Sequence, residues 1–358
     1  MRNSIEFACF VNNTGFSHAA IDYAKSLRGL DIDVSIRCIH NSPLLDSYNE
    51  EDKKWILESI DRSKVKSSVQ FRHLIPPRWK PLVKCDKNVA LAVFESTNPP
   101  REWISAYKNA DQVICPSEYC ADVFWSAGLP IRPSVVPHAI DSDFWVPRIK
   151  AREKGIFRIL SVGTWRSRKN WKNIIRGAEL ASMQSIPIEL VIKTDKGEEA
   201  RKFYEENVLN KGLKISIVSS DLDYFQMREL IYSCDCLLSA SVGEGFCMPP
   251  MQAMACGVPV ICAAIGGCLE YVYDENCIRI EPRGYARMAV MDNIPQFKNQ
   301  EWAVILAEDV SDAICKMISV DSDKRQNMIS TARAFVENNF SYRVVGNKMS
   351  EMIFGTQA

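Results

Sequence analysis

Along the chain, short apolar runs alternate with stretches whose apolar residues recur every three or four positions. Ile5–Val11 is the first run. Asn12-Asn13-Thr14-Gly15 then turns the chain, and Ala20, Ile21, Ala24 and Leu27 follow at helical spacing. Strand character returns over Val34–Ile39, over Val89–Phe94 and over Gln112–Cys115, the last leading into a helix that carries Tyr119, Phe124 and Trp125. A second series opens at Phe157–Val162. It continues with a glycine-led loop, a helix bearing Ile174, Ile175, Ala178 and Ala181, and strands predicted over Ile188–Ile192, Ile215–Val218, Cys236–Ser239 and Val258–Ala263. Apolar runs separated by helices predict buried parallel strands, so each series predicts an α/β domain. Asp141–Gly155, with Pro147 and closely spaced cations, shows no period and reads as the linker between them. The tail from Asp323 to Phe354 has helical character, and residues 40–88 carry little pattern. Two α/β domains predict a ligand in the cleft between them, facing the carboxyl ends of the strands.

Composition narrows the partners. The 358 residues are 47% hydrophobic and 25% charged, which excludes disorder and collagen-like repeats. Lys+Arg and Asp+Glu both total 44, and each sign contributes 18 residues before position 149, so neither half is basic or acidic. Bulk attraction to nucleic acid or anionic membrane is absent from such a balance. The 13 cysteines form no C-x-x-C pair, and several lie in apolar runs (Cys115, Cys236, Cys262). Buried free thiols in a reducing compartment are expected. Met1–Glu6 lacks the apolar stretch of a signal peptide, and the longest apolar region, Met251–Leu269, is broken by glycine and proline. The expected location is the cytoplasm without a transmembrane segment, peripheral attachment to a membrane being left open. His18, His40 and His73 lack metal-ligand spacing, so no metal site is expected.

The most informative segment runs from Ser241 to Ile261. A strand ends in Gly243-Glu244-Gly245, a carboxylate bracketed by glycines. Pro249 and Pro250 suit the first turn of a helix, and Gly257 with Pro259 suits its end. Backbone amides over Phe246, Cys247 and Met248, with the helix dipole behind them, make a seat for a phosphate or a sugar hydroxyl. Earlier, Arg166, Arg168, Lys169, Lys172 and Arg176 place five cations in eleven residues with no carboxylate. A pyrophosphate leaving group needs such a charge sink. Trp165 and Trp171 interleave with these cations, a weak sign of nucleic-acid binding.

The first of these segments resembles the E-x7-E signature of the retaining, family 4 glycosyltransferases of GT-B fold, written E-G-F-G-x-P-x-x-E-A-M-A-x-G-x-P-V. Glu244 matches the first glutamate. Gln252 stands at the second and Cys247 at a glycine, while Ala253–Val260 matches closely, as do Gly266-Gly267 and Glu270 of a following G-G-x-x-E element. Ser161–Asn170 resembles the family's V-G-R-L-x-x-x-K-G loop: Gly163 fits its glycine, and Lys169 falls on the lysine that grips the donor diphosphate. Thr164 takes the arginine position, which leaves Arg166 or Arg168 to supply that charge. In the first half, Gly15 and Phe16 resemble the first glycine loop, Glu95 sits where many members place a histidine beside the donor sugar, and Val136–Asp141, with His138, resembles a P-x-G-V-D element.

The resemblance implies two Rossmann-like domains facing across a cleft: an acceptor-side domain over 1–148, a nucleotide-sugar domain over 149–335, and a helix over 336–358 packing back on the first. It implies a metal-independent retaining hexosyltransferase with no cofactor beyond its donor, a UDP- or GDP-sugar. Glu244, Lys169 and Glu95 are the expected catalytic residues. Gly15, Phe16, Gly163, Arg166, Arg168, Val218, Gly245, Phe246, Cys247, Met248 and Gln252 are expected on the donor, and Arg78, Trp79 and His138 on the acceptor side. A glycan or glycolipid hydroxyl is the expected acceptor. Two alternatives stay open: a transferase acting on a modified DNA base, and a non-catalytic subunit that kept the fold, for which Thr164, Cys247 and Gln252 are the departures that speak.

Overall fold

A computed structural model describes residues 3–39, 42–63, 67–76, 85–148, 155–184, 187–208, 212–288, 291–292 and 294–355. The expected acceptor-side residues Arg78 and Trp79 lie outside these. The chain divides into two units. The first comprises the described residues up to Ser142, Leu222–Phe225 and those from Asn338 onward; the second comprises Asp143–Asp221 and Gln226–Glu337.

In the first unit, β1 (Asn3–Cys9), α1 (Gly15–Arg28), β2 (Ile32–Cys38), α2 (Glu50–Arg62), β3 (Val69–His73), β4 (Lys87–Leu91), α3 (Arg101–Tyr107), β5 (Gln112–Cys115), α4 (Glu118–Ser126) and β6 (Ser134–Val135) follow in sequence. Six strands form a parallel sheet in the order β2-β1-β3-β4-β5-β6. Thr14 opens α1 by accepting the Ser17 amide, and Ala20, Ile21, Ala24 and Leu27 turn inward onto Ile5 and Phe7 of β1.

Three features differ from the pattern reading. The first strand starts and stops two residues earlier than the apolar run. The run at Val89–Phe94 leaves the ladder after Ala92 donates to the Ile114 carbonyl; Phe94 then buries against Trp103 with ring centroids 5.7 Å apart. Its apolarity thus marks a buried loop as well as a strand. Between them, α2 and β3 fill the unpatterned region. The β3 sequence Val-Gln-Phe-Arg-His is wholly buried. Two of its polar members are paired laterally: Gln70 Nε2 donates to Glu6 Oε1 at 2.8 Å, and Arg72 Nε to Gln70 Oε1 at 3.0 Å. A buried strand that pairs its polar groups sideways has no hydrophobic signature.

The second unit carries β7 (Phe157–Val162), α5 (Trp171–Gln184), β8 (Ile188–Lys193), α6 (Gly197–Asn207), β9 (Leu213–Val218), α7 (Tyr224–Tyr232), β10 (Cys236–Ser239), α8 (Met248–Ala255), β11 (Val260–Ala263), β12 (Ile278–Ile280), β13 (Tyr285–Met288), β14 (Gln300–Ala303) and α9 (Ala307–Ser319), the first residues of α7 counting with the first unit. Its parallel sheet has the order β12-β11-β10-β7-β8-β9, and β13 pairs with β14 as an antiparallel ribbon. The order reverses direction at β7, where the chain goes from β9 back to β10. Ligands in open α/β sheets sit beyond the strand ends at such a switch.

The expected helical tail is two helices, α10 (Ser322–Phe340) and α11 (Tyr342–Phe354), broken at Ser341. Helix α11 packs on α1, where Val345, Met349 and Ile353 join the first core. Gly346 makes this approach possible: a Cβ there would stand 2.1 Å from the Ser26 carbonyl oxygen. Among the described residues no helix is long and apolar enough to cross a membrane.

Candidate active site

The carboxyl ends of β7 and β10, neighbours in the second sheet, each release a loop. After β7, Gly163 leaves room for the stem of Lys169, whose Cδ would stand 3.0 Å from a Cβ at that glycine. A tight 3-10 turn over Ser167–Lys169 follows, closed by Asn170 in a left-handed conformation at φ 62°. After β10, Ser241–Gly245 carries Glu244, then Cys247 at φ 69° leads into α8. The loops are laced together: the Val242 amide donates to the Arg168 carbonyl at 2.8 Å. Gly267 supports them from below. Its amide donates to the Glu244 carbonyl at 2.9 Å, and a Cβ on it would meet the Gly245 carbonyl oxygen at 1.9 Å.

Glu244 is 5% exposed and faces two cations. Lys169 Nζ lies 2.5 Å from its Oε1 and Arg168 Nη1 lies 3.2 Å from its Oε2. Burial alone would raise the carboxyl; Lys169 and Arg168 outweigh burial and hold it at about 2. Burial would likewise lower the Lys169 ammonium, but Glu244 leaves it net raised. Both groups therefore stay charged in a dry setting, where each acts strongly on a developing charge. Of the two arginines offered for the vacant family position, Arg168 reaches Glu244, while Arg166 is exposed and its amide donates to Thr164 O.

Gly245, Phe246, Cys247 and Met248 follow in the chain and lead into α8, where Gln252 is buried. Tyr271 Oη donates to the carbonyls of Phe246 at 3.0 Å and Cys247 at 2.5 Å, which fixes the orientation of this peptide run. A hydrogen bond with Cys268, and then burial, push the Cys247 thiol well up, so it is a protonated packing group. Val218 ends β9 and accepts the Thr194 amide at 3.0 Å, two strands away from β7.

In the first unit, Gly15 and Phe16 open α1 and Glu95 follows β4 in a half-buried loop. Phe16 and His138 are brought into one cluster by His73, a residue given no role from sequence. Phe16 stands edge-on to His73 at 4.1 Å and His73 stacks with His138 at 6.3 Å. Burial drives His138 down to about 3 and His73 well below its usual range, so both rings are neutral. Sequence reading also passed over Asp195 and Asp292, whose carboxylates take amides of the Lys169 loop, and over Tyr271. Isolated acids and a lone tyrosine outside a motif give no sequence signal of this kind.

With this geometry in view, the family described as Glycosyl transferases group 1 matches residues 145–335, just over half of the chain, and both loops of the site fall inside that span. The chain belongs to this family. It is a glycosyltransferase, and its two Rossmann-like units have the GT-B fold of solved structures similar to it. Anabaena HepE, solved with UDP and glucose, is 15% identical with a TM-score of 0.68 and covers 99% of this chain and 100% of its own. A glycosyltransferase from Rickettsia africae is 16% identical with a TM-score of 0.68, over 98% of this chain and 97% of its own. Sucrose-phosphate synthase from Thermosynechococcus elongatus is 15% identical at the same TM-score, over 98% of both chains. No protein of curated function matches this chain in sequence.

Proposed function

We propose that this glycosyltransferase moves a sugar from a nucleoside-diphosphate sugar, UDP- or GDP-linked, to a hydroxyl of a glycan or glycolipid, with retention at the anomeric carbon and without a metal. The observation that carries the reading is the buried Glu244–Lys169–Arg168 cluster at the switch point of the second sheet. Retaining transfer by front-face displacement needs a charge sink for the departing diphosphate and a fixed acceptor for the donor-sugar hydroxyls. Lys169 and Arg168 supply the first. Glu244, kept ionised, supplies the second and holds both cations ready when no donor is bound. The amides of Phe246, Cys247 and Met248 add backbone donors for phosphate, and Gln252 hydrogen-bonds the ribose. HepE, similar in fold, was solved with UDP-glucose, which supports a UDP-linked donor. For the first unit the proposal keeps Gly15, Phe16 and Glu95 on the donor and His138 on the acceptor side. The protein itself would neutralise the leaving group.

The test begins with thermal shifts against UDP, GDP, ADP, dTDP and CMP, since a ligand that binds the folded state raises its stability. Sugars linked to the nucleotide found in this way are then supplied as donors, and the product is read by NMR for the configuration of the new linkage. An α-linked product from an α-linked donor supports retention. An inverted product removes that part of the reading, and nucleotide binding without any turnover would leave a binding subunit.

A further inference from the structure

We infer that Asp292, which lies between β13 and β14 and in none of the motifs matched above, is a positioning residue for the two cations of the site. This rests on the diphosphate reading above. Its carboxylate takes two consecutive amides of the tight turn: Ser167 donates to Oδ1, and Arg168 to Oδ2 at 3.4 Å. Each oxygen thus holds one amide of the segment that projects Arg168 and Lys169. The Trp165 amide goes to Asp195 Oδ1 at 2.6 Å, and the Arg166 and Lys169 amides stay within the loop.

The carrier of Asp292 is itself anchored. Met291 is buried, Ile294 donates to its carbonyl at 3.1 Å, and Phe297 buries edge-on against Trp302 at 5.2 Å. Asp292 sits at φ 58°, a left-handed conformation that Asp tolerates better than most residues. A carboxylate on consecutive amides fixes their direction; the Arg168 side chain leaves the turn at the second of them and the Lys169 side chain at the next residue. The Arg168 carbonyl meanwhile receives the Val242 amide. Asp292 therefore sets the aim of both cations toward Glu244, and toward a diphosphate when one is bound, without touching the donor.

The experiment measures Kd by calorimetry for UDP and GDP against uridine and guanosine, on the full chain. The variants are Asp292→Ala and Asp292→Asn. Asp292→Ala should weaken the bound diphosphate nucleotide by roughly tenfold while its nucleoside is unchanged, because only the phosphates meet the cations. Asp292→Asn keeps one acceptor oxygen and should recover part of the loss. Equal weakening of nucleotide and nucleoside, or a tighter nucleotide, would overturn the inference. The first would mean a merely structural role, the second that Asp292 competes with phosphate. A ligand-free reading runs beside it. Stability of the parent should fall as pH drops from 4.5 toward 2, when Glu244 is discharged, and that fall should be shallower in either variant. If the parent binds no nucleotide, the diphosphate reading fails, while the acid limb, compared with that of the same variants carrying Glu244→Gln so that the Asp292 carboxyl itself is subtracted, still decides whether Asp292 aims the cations. An unchanged limb rejects that role.

Discussion

The two units bury ionisable groups in opposite ways. In the second, Glu244 is buried with Lys169 and Arg168 against it and keeps its charge, at about 2. In the first, Glu6 and Asp52 are buried beside Arg37 and Lys25, but three other buried groups lose charge: His138 is driven to about 3 and His18 to about 4 by burial. Asp22 rises to about 7. Burial raises it more than Lys25 and the hydroxyls of Tyr342 and Tyr224 lower it, and Asp141 adds to the rise. Burial sets the penalty, and only opposite charge at close range cancels it. A charge sink for phosphate can be built where such cancellation stands at the strand ends of a sheet, as Glu244, Lys169 and Arg168 do in the second unit.

The largest test removes the cancellation. Lys169→Met leaves Glu244 buried with Arg168 alone and should cost about 3 kcal/mol of stability, read by chemical denaturation. It should also abolish measurable nucleotide binding. Lys169→Met with Glu244→Gln should recover much of the stability and none of the binding. A single variant as stable as the parent would show that the pair is not what keeps Glu244 charged.

Asp22 sharpens the other side. Its carboxyl receives the Tyr342 hydroxyl at 2.6 Å and the Tyr224 hydroxyl at 3.1 Å, so it ties α1 to α11 and to the 222–225 segment. Lys25 of α1 faces Asp52 of α2 at 2.8 Å and Asp141 at 4.0 Å; Tyr48 and His18 pack on Tyr224. A folded pKa raised from 3.8 to about 7 stabilises fully below 3.8 and is lost as pH rises through 7. Asp22→Asn should therefore gain about 2 kcal/mol relative to the parent between pH 5 and pH 8. A variant that tracks the parent across that range would mean Asp22 stays ionised.

Smaller effects probe the donor side. Gln252 is neutral and buried where the family pattern has a glutamate. Gln252→Ala should weaken nucleotide binding by about 1 kcal/mol, and Gln252→Glu should bind as well as the parent or better. Full binding by Gln252→Ala would detach this residue from the site and favour the non-catalytic reading. Smallest is Cys247→Gly. A cysteine at φ 69° pays for a left-handed backbone that glycine adopts freely. The change should raise stability by about 0.5 kcal/mol in thermal unfolding, net of the lost thiol packing. A drop of similar size would show that the contacts of Cys247 outweigh its backbone.

Legibility in the sequence followed contiguity. Strands β5, β7 and β10 have the limits that the apolar runs predict, and the Glu244 and Lys169 loops lie in unbroken motifs. The region from 40 to 88 was opaque because β3 buries Gln70 and Arg72 by pairing them with Glu6 and Gln70, 64 residues and two residues away in the chain.

What the chain's order of residues determined by itself is local: where apolar periods place strands and helices, that Gly163 precedes a cation cluster, and that Glu244 follows a strand. Tertiary structure alone decided which charges meet. Arg168 rather than Arg166 faces Glu244 from 75 or more residues away. Asp292 arrives at the Arg168 amide from 124 residues further on, and His73 of β3 at Phe16 of α1. Hydrophobic period is a property of neighbours in sequence. Charge pairing depends on distances of a few ångströms after folding, and those are set by the sheet order.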